Sequence, residues 1–136
     1  MFNELLPIVV LIILVFILLL FVYVKYKQRK VFSDRDLKYL KMHWNRVISE
    51  FDNNPKESIL DADILLDFAL SKKGFEGNLG EKLKSAGPRF SDINGIWRAH
   101  KLRNRVAHEL SDIDESEAKR AIKCFKNALK DLGAKL

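Results

Sequence analysis

Cysteine is almost absent from this 136-residue chain: Cys124 stands alone. One thiol excludes an internal disulfide, and with no second cysteine there is no C-x-x-C pair of the kind used by zinc ribbons and dithiol redox centres. Cys124 falls in a helical pattern and reads as a packed structural residue. Proline (three) and glycine (six) are scarce too. Neither a low-complexity linker nor a repeat interrupts the chain beyond the short turn region 74–80. Gly74, Gly77 and Gly80 follow a helical pattern rather than a strand, so they are turn residues and not a phosphate-binding loop. The period-two alternation of strands is missing throughout.

Charge is missing from one long stretch. Residues 5–24, Leu5 to Val24, hold no charged side chain and are nearly all Leu, Ile, Val or Phe. As a helix they would extend about 30 Å, the thickness of a bilayer's hydrocarbon core. A cleaved signal peptide begins with basic residues and ends in small ones. Here Glu4 is the only early charge, and Tyr23, Val24, Lys25 and Tyr26 are bulky. The segment therefore reads as a retained transmembrane helix, with Pro7 close enough to its start to be tolerated. Tyr23 and Tyr26 sit where an interfacial aromatic belt belongs. Lys25, Lys27, Arg29 and Lys30 follow at once, and the positive-inside rule puts what comes after them in the cytoplasm. The expected organisation is a short extracytoplasmic segment (1–4), a single-pass span (5–24), a basic juxtamembrane stem (25–32) and a helical domain (33–136). The lipid bilayer is the first partner this implies.

The stem also explains most of the net charge of +6. Without its four cations and the N-terminal Glu4, 20 Lys and Arg face 17 acids, a net of +3. Basicity alone therefore does not require nucleic acid.

Beyond the stem, helix signals succeed one another. Ser33 with Asp36 forms a capping pair ahead of Leu37, Leu40, Trp44, Val47, Ile48 and Phe51, spaced by threes and fours. Asn54-Pro55 restarts the chain as cap and first helical residue, and Gly74 stops it after Lys73. Asn78 to Ser85, with Glu81 as capping partner, makes a shorter helix ended by Gly87-Pro88. Ser91 is expected to open a fourth helix carrying Ile93, Ile96, Trp97, Val106 and Leu110. The last begins near Asp114 and ends at Gly133. The fold class is all-α: a single N-terminal transmembrane helix followed by a small bundle of about five helices.

The fourth of these bundle helices is the odd one. Taking Ile93, Ile96 and Trp97 as its inward face, His100 and Asn104 fall on the same arc and Arg103 and His108 flank it. Polar groups in such a place need hydrogen-bond partners. A satisfied internal network, a polar contact between two copies and a functional site all meet that need. Seven cations against Asp92 alone lie between Lys82 and Arg105; among them Arg98, Lys101 and Arg105 are candidates for contacting a phosphate backbone, though a solvated basic face reads the same.

Residues 103–108 spell Arg-Asn-Arg-Val-Ala-His, an R-N-x-x-x-H string in the latter half of a small helical bundle. This resembles the HEPN family (higher eukaryotes and prokaryotes nucleotide-binding), whose signature is an Arg, often a polar neighbour, and a His after four to six intervening residues. The matching positions are Arg103, Asn104 and His108, and the likeness in fold covers about residues 34–132. The resemblance implies a homodimeric bundle and, in many members, a ribonuclease that works without a metal or cofactor. It assigns catalysis to Arg103, Asn104 and His108, with RNA as substrate. A membrane anchor departs from the small toxin-like members. Two roles stay open: an endoribonuclease, or a non-catalytic dimerising, nucleotide-binding or RNA-binding module at the membrane.

Two weaker constellations complete the reading. Asp63 and Asp67 share a face of an otherwise apolar helix. They could bind a cation, but one of them pairing with an arginine of the fourth helix fits better. His100 and His108 are eight positions apart with Asn104 between them, which does not make a zinc site.

Overall fold

The computed structural model describes residues 1–27, 31–110 and 112–136. Every regular element among them is helical: α1 (Phe2–Lys27), α2 (Asp34–Phe51), α3 (Pro55–Lys72), α4 (Leu79–Ala86), a 3₁₀ turn (Gly87–Arg89), α5 (Ile93–His108) and α6 (Glu115–Asp131). The chain divides into two units, residues 1–30 and 31–136.

In the first unit α1 carries an uncharged stretch long and apolar enough to cross a membrane. It begins three residues earlier than the span expected from sequence and continues through Pro7. It also runs on to Lys27, so the start of the stem is helical. Arg29 and Lys30 lie outside the described residues.

The second unit is a five-helix bundle, and its helix ends follow local chemistry. Ser33 accepts from the Asp36 amide while Asp36 accepts from that of Ser33; Asn78 and Glu81 form the same reciprocal box at α4. Asn54 caps α3 with Pro55 in first position. At the far end of α3, Gly74 adopts φ 91°, while the Phe75 and Gly74 amides donate to the carbonyls of Leu70 and Ser71. That pairing is a Schellman stop, and it needs the left-handed backbone glycine tolerates. The unit starts two residues earlier than expected, at Val31, and Phe32 is buried in the core beneath the Lys73 ammonium.

α3 is the central element and touches α2, α5 and α6. Surrounded on several sides, it buries Ile59, Ala62, Leu65, Leu66, Ala69 and Leu70, which is why its sequence is apolar nearly all round. Ser58, also buried, donates to the Val47 carbonyl and ties α3 to α2.

α5 differs from expectation at both ends and in its roll. Asp92 caps it, accepting from the Gly95 amide; Ser91 instead donates through its amide and hydroxyl to Asp131. The helix ends at His108, where Glu109 turns extended, so Leu110 lies beyond it and is fully exposed. The buried residues are Gly95, Ile96, Ala99 and Leu102, a face rolled by roughly 120° from the Ile93–Trp97 arc. The cause is steric: a Cβ on Gly95 would sit 2.9 Å from Cys124 Sγ on α6. Small residues let α6 approach closely here, and Ile93 and Trp97 are left half-buried at the edge. Ile48 of α2 is likewise exposed rather than inward.

Candidate functional site

The roll of α5 puts its polar residues on two different flanks. Arg103 lies beside the buried face and meets Asp63, which projects from the middle of α3 and is only 4% exposed. Asp63 Oδ1 lies 2.9 Å from His100 Nδ1, and Oδ2 lies 3.3 Å from Arg103 Nε. One buried carboxylate thus holds an imidazole and a guanidinium spaced three residues apart on α5, as only a neighbouring helix can. The expected pairing of an α3 carboxylate with an α5 arginine is present; the histidine on its other oxygen was not foreseen.

Arg103 Nη1 donates to the side-chain oxygen of Asn104, 3.1 Å away. Its Nε–H is in ion-pair range of Asp63 at angles too poor for a hydrogen bond. Among the described residues it is the one buried side-chain nitrogen or oxygen left without a hydrogen-bond partner. The Trp97 ring meets His100 edge-on at 6.1 Å.

These groups open on a cleft of about 530 Å³ lined by Asp63, Asp67, His100, Arg103 and residues 77–80 at the start of α4. That volume is within the usual range for small-ligand sites. Asp67 is neutralised by Lys82, a lysine only 5% exposed, whose ammonium lies 2.8 Å from the carboxylate and 2.7 Å from Ser71 Oγ. Lys82 was legible only as an intruder in the apolar run Leu79, Lys82, Leu83, Ala86.

The other flank of α5 is different. Arg98, Lys101 and Arg105 are all exposed. Arg105 donates to Glu117 at 2.7 Å, which pushes the high arginine pKa higher still. Arg98 joins Arg120 and Lys123 along a separate groove of about 370 Å³ between α5 and α6, floored by Ala99, Leu102 and Ala121. Cys124 also lines it, and burial pushes its thiol pKa up, with Asp92 adding to the effect. That fits a packed, unreactive thiol.

The seven cations counted from Lys82 to Arg105 therefore do not make one patch. Lys82, Arg103 and Arg105 are paired with acids, and Arg89 lies over the Phe75 ring at 4.9 Å. His108 is exposed in the last turn of α5 and does not line the Arg103 cleft. Arg103 and Asn104 are brought together; His108 is not joined to them within one chain.

No protein-family model, curated protein or solved structure matches the chain. Fold and site alone define its class: an all-α protein with one apolar helix of membrane-spanning length and a five-helix unit. The distinguishing feature of that unit is an aspartate, histidine and arginine gathered at a cleft.

Proposed function

We propose that the chain is a membrane-anchored HEPN-like domain that cleaves RNA without a metal. The observation that carries this reading is Arg103: a guanidinium held by Asp63 and Asn104 that lines an open cleft with 30% of its side chain exposed. A phosphate oxygen is the acceptor such a fork is shaped for. In the proposed reaction Arg103 stabilises the negative charge building on phosphorus, Asn104 holds the guanidinium, and His108 carries a proton.

His108 follows Arg103 by five residues, about 7.5 Å along a helix axis. A second copy of the chain is therefore proposed to bring it to the reacting phosphate. Supporting this, Tyr39, Met42 and Ile64 expose apolar surface on α2 and α3, and Ile64 borders the Arg103 cleft. A homodimer confined to a membrane would cover that surface. The same separation favours the alternative, a non-catalytic dimerising or RNA-binding module.

Full-length protein in detergent micelles, offered mixed-sequence single-stranded RNA in EDTA, decides between the two. Cleavage leaving 2′,3′-cyclic phosphate ends is expected. Both Arg103→Lys, which keeps charge and loses the fork, and His108→Ala should lower the rate, the latter by ~10²–10⁴-fold. Binding with no cleavage establishes the module, whereas cleavage that needs a divalent metal contradicts the mechanism.

The anchor carries a separate proposal, a cytoplasmic C-terminal domain at the cell membrane, supported by Lys25, Lys27, Arg29 and Lys30 after the span. A reporter fused after Leu136 should read cytoplasm, and protease protection of that fusion from outside the cell checks it.

A further inference from the structure

We infer that His100 is a second catalytic histidine, the general base of the Arg103 cleft, and that Asp63 is the residue positioning it. The inference rests on the ribonuclease reading above and adds a residue that the R-N-x-x-x-H pattern does not contain.

The geometry is specific. An ionised carboxylate only accepts hydrogen bonds, so the 2.9 Å contact from Asp63 Oδ1 places a proton on His100 Nδ1. Nε2 of the neutral ring is then left with its lone pair free, which is the form a general base requires. Two further contacts limit how the ring can turn. Asp63 cannot swing away, because it is buried and its other oxygen faces Arg103. The indole edge of Trp97 packs against the imidazole. His100 lines the cleft while keeping only 15% of its side chain exposed. The charged groups around the cleft are Asp63 and Asp67 from α3, Lys82 from α4 and Arg103 from α5.

His100 and His108 are eight residues apart, about 12 Å along the axis. One chain cannot bring both to a single phosphate, so the roles divide between copies. His100 Nε2 takes the ribose 2′-hydroxyl proton, and the freed oxygen bonds to phosphorus. The bond from phosphorus to the 5′-oxygen breaks, and that oxygen receives a proton from the His108 imidazolium of the second copy. Exchange with water then returns both rings to their starting states. The products are a 2′,3′-cyclic phosphate and a 5′-hydroxyl.

The test uses full-length protein in micelles and two oligoribonucleotides, one ordinary and one with sulfur in place of the bridging 5′-oxygen at a single site. A thiolate leaves without a general acid. On the ordinary RNA, His100→Gln and His108→Ala should each lose ~10²–10⁴-fold in rate. On the sulfur substrate the His108→Ala loss should largely disappear and the His100→Gln loss should remain. Asp63→Asn should lower kcat more than KM and reduce the Nδ1–H tautomer of His100, read from imidazole nitrogen shifts. Those shifts in the unaltered protein guard against a variant that fails to fold: they must show His100 protonated at Nδ1. The opposite tautomer, a His100→Gln rate within threefold of the parent, or recovery of that variant on the sulfur substrate each overturns the assignment and leaves the nuclease reading standing. An unaltered protein that cleaves neither RNA removes both.

Discussion

The two flanks of α5 carry similar charge and behave as opposites. On one, Arg103 and His100 converge on a carboxylate that has almost no access to water. On the other, Arg98, Lys101 and Arg105 are exposed, and Arg105 pairs with the surface residue Glu117. The first flank is organised from the neighbouring helix outward; the second is a solvated face. A cation becomes part of a built site when its partner is buried, because a buried charge cannot exchange that partner for water at low cost. Counting lysines and arginines along the chain does not separate these cases.

Three substitutions probe that contrast, in falling order of effect. Arg103→Met leaves the Asp63 carboxylate buried with only His100 beside it. Breaking a buried pair from one side costs about 3 kcal/mol, so urea unfolding of the second unit should shift clearly to lower denaturant. A loss below ~0.5 kcal/mol, the level of an exposed pair, would erase the distinction between the flanks. Gly95→Ala pushes a methyl group toward the Asp92 carboxylate and Cys124 Sγ. Overpacking of this kind costs about 1–3 kcal/mol. It should also loosen the α5–α6 contact, read as faster alkylation of Cys124, a half-buried thiol whose pKa burial pushes up. Arg105→Gln breaks an exposed ion pair and should move stability by no more than ~0.5 kcal/mol. A larger change would mean that the solvated flank is also structured.

Much of the fold was legible because helix boundaries are local. Capping pairs at Ser33 and Asn78, Pro55 after Asn54, and glycines at 74 and 133 each act within a few residues. They mark α2, α3, α4 and the end of α6. The roll of α5 was not legible in the same way. Ile93 and Trp97 outweigh Gly95 and Ala99 on any hydrophobicity count, yet the small residues face inward beside Ile96 and Leu102 because α6 needs the room. Asp63 stood out as a charge on an apolar helix, and its link to an arginine could be argued from chemistry. That His100 takes its other oxygen depends on how α3 and α5 cross, and nothing local to either helix encodes that. The Arg103-Asn104 step could be read directly, whereas the absence of His108 from the cleft lining emerged only with the roll of α5.

The central claim is that the Asp63 flank of α5 is the face that meets RNA phosphate. It is tested most directly by nuclear magnetic resonance of the full-length protein in micelles. The probe is a short RNA carrying 2′-O-methyl groups at every residue, which removes the attacking hydroxyl from each linkage. The account predicts that the Arg103 Nε–H and His100 ring signals shift on titration, while the guanidinium signals of Arg98 and Arg120 in the α5–α6 groove stay within the small changes that nonspecific charge contact produces. Shifts confined to Arg98 and Arg120, with Arg103 and His100 unmoved, would contradict it.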